Sequence, residues 1–349
     1  MMKRCAIYII GIWSCIFSLL TGCDVHEWPE KAEEVAFNLE LVFHTDMDQE
    51  NWYYADGAVS RAASGHDMRY IIRAYPMASG GQVSNVPTAE WTYYKENVTL
   101  GDDYSYSSQF FLPEGSYRIM VWADFTDAGS TANKYYNYDN FNSIVLHGTH
   151  KANTDYRDAF SGSSGLVLES TIVEGVEIQT LVIDMKRPLS KYTFVATDLQ
   201  EFIDKELLRL KGESRNGDET ESRQVKLDDY TVVVQYPMYM PNTYNLFTDK
   251  AVNSATGVQY RSKLTKLNQS EASMGFDYVV INDDPDAKVT VRVGLLDKNG
   301  EQLVMSPAFN VPLKRSVNSV IRGKFLVTES DGGISIDPSF NGDHNIVVP

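Results

Sequence analysis

Cysteine is almost missing from this chain: Cys5, Cys15 and Cys23 are the only three in 349 residues. All three stand at the very start, which excludes a disulfide framework or a thiolate metal site for the rest, so the fold must rest on an ordinary buried core. Positive charge is short as well. Against 47 acidic residues there are 31 basic ones, a formal charge of −16. That balance opposes binding to phosphate backbones and removes nucleic acid from the expected partners. No Gly-x-Ser-x-Gly elbow, phosphate-binding loop or dinucleotide fingerprint occurs. Catalysis has no support in the sequence, and no metal site or cofactor is expected.

The one long apolar stretch is N-terminal. Lys3 and Arg4 precede a hydrophobic run from Cys5 to Leu20, closed by Leu20-Thr21-Gly22-Cys23. A basic start, an apolar middle and small residues before a cysteine form a lipoprotein signal, with cleavage between Gly22 and Cys23. Cys23 is then the lipidation site, its sulfur carrying diacylglycerol and its amine an N-acyl chain. The run is broken by Gly11, Ser14 and Ser18, is short for a bilayer span and is followed by no stop-transfer pattern. An uncleaved membrane anchor is the alternative. Residues 1–22 are therefore expected to be removed and the protein held at the cell envelope by lipid. The acidic stretch 23–35, with Asp24, Glu27, Glu30, Glu33 and Glu34, reads as a solvated tether or an export label.

From Val35 onward the dominant period is two, as in Phe37–Phe43, Tyr117–Ala123, Val176–Ile183 and Tyr230–Tyr236. Apolar and polar residues that alternate lie on opposite faces of a strand, so these are half-buried antiparallel strands. Further strands are expected at 68–75, 191–196, 276–281, 289–296, 302–311 and 317–327, with an Asn-Gly hairpin turn at Asp297–Gly300. One segment, 197–210, has helical spacing, with Asp198 and Glu201 as a capping box and Gly212 as its end. The chain reads as all-β with one short helix, in two β-sandwich domains, 36–187 and 188–349, divided near Arg187-Pro188.

Several clusters hold side chains of the types that carry chemistry. His147 and His150 stand three apart in a β context, unlike the helical pair of a zinc protease. The run Asp283-Asp284-Pro285-Asp286 lacks full calcium-loop spacing and reads as a turn. Aromatics at Trp91, Tyr93, Tyr94, Tyr135, Tyr136 and Tyr138 suit strand faces, and the competing use is a sugar-stacking platform or host-ligand anchor. Near the C-terminus, Ile334, Ile336, Ile346, Val347 and Val348 form a candidate strand-pairing segment, able to add to an edge of its own sheet or of a neighbour's.

Taken in order, several blocks resemble the fimbrial subunit lipoproteins of Bacteroidota, in particular the minor or anchor subunits of type V pili. They are Leu20–Cys23, Cys23–Pro29, Leu112–Asp124, Asp158–Phe160, Arg187–Tyr192 and Val311–Phe325. The resemblance implies two tandem transthyretin-like antiparallel β-sandwich domains, tethered through Cys23 to the outer membrane at the base of a fimbrium. It implies no enzymatic activity. The expected roles are attachment of the fibre, adhesion and biofilm formation, with other fimbrial subunits as partners. Stalk subunits of such pili are trimmed after an arginine near the first strand, and Arg61 is the candidate processing site here; anchor subunits keep that strand. The rival reading is a surface glycan-binding lipoprotein using Trp91, Tyr93 and Tyr136.

Overall fold

The computed structural model describes residues 34–47, 65–169, 178–213 and 224–327. In the first half run β1 (Glu34–Phe43), β2 (His66–Pro76), β3 (Ala89–Lys95), β4 (Tyr106–Pro113), β5 (Gly115–Asp127), β6 (Tyr136–Asn137), β7 (Ile144–Leu146), β8 (Ala159–Leu168) and β9 (Gln179–Met185). Then come β10 (Leu189–Ala196), the helix α1 (Leu199–Glu213), β11 (Thr231–Gln235), β12 (Met240–Asn245), β13 (Lys250–Ala255) and β14 (Gln259–Lys263). The last are β15 (Thr265–Lys266), β16 (Ala272–Val280), β17 (Lys288–Leu296), β18 (Gln302–Met305), β19 (Phe309–Pro312) and β20 (Asn318–Gly323). The all-β expectation holds, with a single α-helix among the described residues.

Two sandwiches account for most strands. The first packs the sheet β4-β1-β9 on the sheet β3-β2-β5-β8, and the second packs β15-β16-β10-β20 on β14-β11-β17-β18, with β19 also on β17. Period-two alternation sets the inner face of β1: Phe37, Leu39 and Leu41 are fully buried, while Glu40 between them is exposed. β2 and β5 break the alternation and are buried along nearly their whole length. The cause is a fifth sheet, β13-β12-β7-β6, which covers their second face. In it β12 from the second half pairs with β7 from the first, Tyr244 opposite Ile144. Trp122 on β5 lies between Tyr136 and Tyr244, at ring distances of 5.3 and 5.9 Å. Charges buried under this cover are paired across adjacent strands: Arg69 lies directly opposite Asp124 and binds both its oxygens at 2.8 and 2.9 Å.

The second core gathers Phe194 against Phe309 and Phe325 at 5.9 and 5.8 Å, and α1 docks Phe202 edge-on to Tyr230 at 4.9 Å. Four local expectations need correction. The helix runs through Gly212 to Glu213, because a single glycine in a last turn weakens a helix without stopping it. Asp198 forms no capping box; its carboxylate accepts the amides of Phe325, Leu326 and Val327, and Glu201 pairs with Lys324 at 3.2 Å. That same use of Asp198 draws the chain out of the sheet after Gly323, so the strand expected over 317–327 stops at β20. The run 302–311 is split at Ser306-Pro307, where proline cannot donate to the ladder, leaving β18 and β19 on successive stretches of β17. The turn at Asp297–Gly300 forms as expected, with Gly300 at φ 83°.

Candidate functional site

Gly22, Cys23, Arg61, Ile334, Ile336, Ile346, Val347 and Val348 all lie outside the described residues. What is described is the strand that the resemblance makes decisive. β1 is the middle strand of its sheet, antiparallel to β4 from Glu34 opposite Pro113 to Leu41 opposite Tyr106, and parallel to β9 from Phe37 to Phe43. Its side chains are locked in by aromatic neighbours: Phe37 stacks on Phe110 at 5.7 Å, and Phe43 meets Tyr70, Tyr104 and Phe160 edge-on at 5.2–6.1 Å. Ladder bonds on both edges and a buried inner face make β1 integral to the first sandwich.

Two of the blocks that carried the resemblance, 158–160 and 187–192, meet at the end of this strand. Arg187 holds the Asp158 carboxylate at 2.7 Å through Nε and Nη2, lies 4.9 Å over the Phe160 ring, and donates to the carbonyl of Thr45 at 3.0 Å. The arginine thus ties the exit of β1 to the start of β8. Burial pushes the Asp158 carboxyl up, which its partnership with Arg187 opposes.

The side chains considered for chemistry are occupied structurally. His150 Nε2 lies 2.7 Å from Asp277 Oδ2, and His147 does not join it. Among the described residues no group of three or more His, Cys, Asp or Glu side chains is placed to hold a metal ion. In the 283–286 run the amide of Asp286 donates to Asp284 Oδ1 at 2.9 Å, closing a turn. The aromatic platform does not assemble on one surface. Tyr136 is 1% exposed with its hydroxyl donating to the Arg157 carbonyl at 2.6 Å, whereas Trp91 and Tyr93 on β3 turn edge-on to Phe110 inside the first sandwich.

A second cluster, which the sequence did not reveal, joins the two halves. Arg157, between β7 and β8, reaches Asp277 on β16 through Nη1 and donates through Nη2 to the Tyr278 carbonyl at 3.0 Å. Tyr236 donates to the same carboxylate at 2.6 Å and meets the Tyr192 hydroxyl at 2.5 Å. Lys191 and Tyr278 both bind Asp155 Oδ1, at 2.6 and 2.8 Å. Burial alone would raise the Asp277 carboxyl, but the Arg157 guanidinium and the His150 and Tyr236 hydrogen bonds hold it below its ordinary range. Burial pushes the Tyr192 and Tyr236 hydroxyls well above theirs. This constellation is a clamp between sandwiches, and the cavity that His150 and Arg157 line beside it is only about 10 Å³, room for no more than a water. Its central pair, Arg157 with Asp277, spans 120 positions and the tyrosines join from 41 and 44 positions away, so no spacing signal could have found them.

Three solved structures illustrate what the chain is similar to. A candidate adhesin from Bacteroides ovatus matches with a TM-score of 0.43 and 12% identity, covering 86% of this chain and 90% of that one. The fimbrial anchor protein Mfa2 from Porphyromonas gingivalis matches with a TM-score of 0.37 and 12% identity over 78% and 82%. A fimbrial assembly protein from Parabacteroides distasonis matches with a TM-score of 0.36 and 11% identity over 83% and 92%. No curated protein matches by sequence. The family model for DUF6562, a family of unknown function, matches residues 30–349, and the chain belongs to that family.

Proposed function

We propose that this protein is an outer-membrane lipoprotein that serves as the anchor or a minor subunit of a fimbrium, fixing the fibre to the cell and meeting other subunits by strand pairing. The observation that carries the reading is the position of β1. A subunit that accepts a neighbour's strand in this sheet needs a vacant slot, and here the chain's own first strand fills it, bonded on both edges with Phe37, Leu39 and Leu41 buried. A body closed at that position suits the end of a fibre. The lipobox supports attachment, since Cys23 stands eleven residues before Glu34 and keeps the first sandwich within about 40 Å of the acyl chains at full extension. The segment bearing Ile334, Ile336 and Ile346–Val348 is the one assigned to strand pairing, and Arg61 is retained uncut in this role.

Deletion of the gene followed by electron microscopy of the cells tests the reading. The expected result is fibres that are shed or altered in length. Fibres unchanged in number, length and attachment refute it. Metabolic labelling with a fatty acid tests the anchor separately: label is expected on the wild-type protein and lost in Cys23→Ala, with release from the outer-membrane fraction. Labelling that persists in the variant excludes Cys23 as the lipid site.

A further inference from the structure

A polar cleft of about 350 Å³ opens where β8, β9 and the β12–β13 turn converge, a volume within the range of small-molecule sites, which favour such junctions. Its geometry begins at a single bridge: Ser161 and Lys186 exchange both backbone hydrogen bonds, at 2.8 and 2.9 Å. Beyond that bridge the two strands part. Apart from that bridge, β8 pairs among the described residues with β5 alone and keeps its register throughout, so the amides and carbonyls of Ser163 and Gly165, pointing the same way as those of Ser161, face the opening with no backbone partner among those residues. The strand is stripped of bulk here. Ser161-Gly162-Ser163-Ser164-Gly165 are residues that sheets disfavour, and such a run in a strand marks a close approach by another group. At Gly162 the approach is from within: a Cβ would stand 2.6 Å from Ile183 Cγ2 and 2.7 Å from the Asp184 carbonyl.

The charges lining the cleft contrast with the chain as a whole, whose formal charge is −16. Arg118, Lys186 and Arg315 face two carboxylates, Asp184 and Asp249. Asp249 is held by Arg315 at 2.8 and 3.0 Å, and Asp184 lies 3.1 Å from His44. Arg118 is bonded to the Ser163 hydroxyl at 3.0 Å, and neither it nor Lys186 has a carboxylate partner among the described residues. Two cations are thus left for a ligand, beside the Ser163 and Ser164 hydroxyls and the free amides of the β8 edge. Apolar lining comes from Val182, Ile183, Leu246 and the ring of Tyr244.

We propose that this cleft binds an acidic saccharide, with the sugar carboxylate between Arg118 and Lys186 and the ring hydroxyls against Ser163, Ser164 and the β8 backbone. A carboxylate answers the unneutralised cations, and hydroxyl-rich lining answers a ring that offers hydroxyls on several sides. A peptide strand is disfavoured because the Ser161–Lys186 bridge closes one end of the edge. The inference does not rest on the fimbrial reading, and it uses none of the aromatics Trp91, Tyr93 and Tyr136.

Calorimetric titration of the full-length protein with D-galacturonic acid, D-galactose and acetate tests it. Galacturonate is expected to bind about tenfold or more tighter than either control. Arg118→Gln and Lys186→Gln are each expected to weaken it by about tenfold, without loss of the folded circular-dichroism spectrum. Lys186 is solvent-exposed, so its variant carries the test if Arg118→Gln unfolds. Absence of galacturonate binding at millimolar concentration overturns the proposal. So does equal binding of galactose or of acetate, and so does affinity unchanged in Lys186→Gln.

Discussion

Replacing Asp277 by alanine tests whether the clamp between the sandwiches stabilises the fold. In the native protein its carboxylate takes hydrogen bonds from Arg157, Tyr236 and the Tyr278 amide, with His150 at 2.7 Å. Arg157 is 2% exposed and cannot turn to water when its partner is removed. Truncating one member of a buried pair leaves the other charge uncompensated, which costs about 3–5 kcal/mol. In urea, with a slope of about 3 kcal/mol/M, the unfolding midpoint is expected to fall by about 1 M or more. The cost arises from an orphaned charge, so removing both charges reverses it: Arg157→Met with Asp277→Leu is expected to recover most of the loss. The pH dependence has a definite sign. A carboxyl held below its unfolded value near 3.9 contributes its full stability above that pH and loses it as pH falls through the folded value. The part of the gap between wild type and Asp277→Ala that this carboxyl contributes is therefore expected to narrow as pH falls below about 4. Chemical denaturation followed by circular dichroism above and below that pH measures all three quantities. A loss under about 1 kcal/mol for the single variant, or a double variant as unstable as the single one, refutes the reasoning.

The other predictions concern backbone and packing. Phe37→Ala removes a fully buried ring stacked on Phe110 and is expected to cost about 3–5 kcal/mol, with proteolysis between β1 and β2 accelerated; an unchanged urea midpoint would contradict the integral role of β1. Gly275→Ala is expected to destabilise by about 1–3 kcal/mol, because Gly275 sits at φ 110° and a Cβ there would stand 2.5 Å from both Asn153 Oδ1 and Ser262 Oγ. Native-like stability of that variant by thermal melt would show that the loop around Asn153 yields freely.

The sequence by itself determined the fold class, because alternation at Phe37–Phe43 or Tyr230–Tyr236 is a local signal that survives any tertiary arrangement. The hairpin at Asp297–Gly300 was legible for the same reason, and so was the position of α1. β8 was not, since its Ser-Gly-Ser-Ser-Gly run lacks strand propensity and is held by pairing to β5 across some forty residues. Only the tertiary structure decided the outcome for the aromatics: Tyr136 and Trp122 are in the core because a strand from the second half, β12, closes over the first. It also decided that Arg187 meets Asp158 and that Arg157 meets Asp277. Charge pairing in a low-dielectric interior depends on separation in space, and the partners there come from segments 29 and 120 positions apart whose sequence spacing carries no record of it.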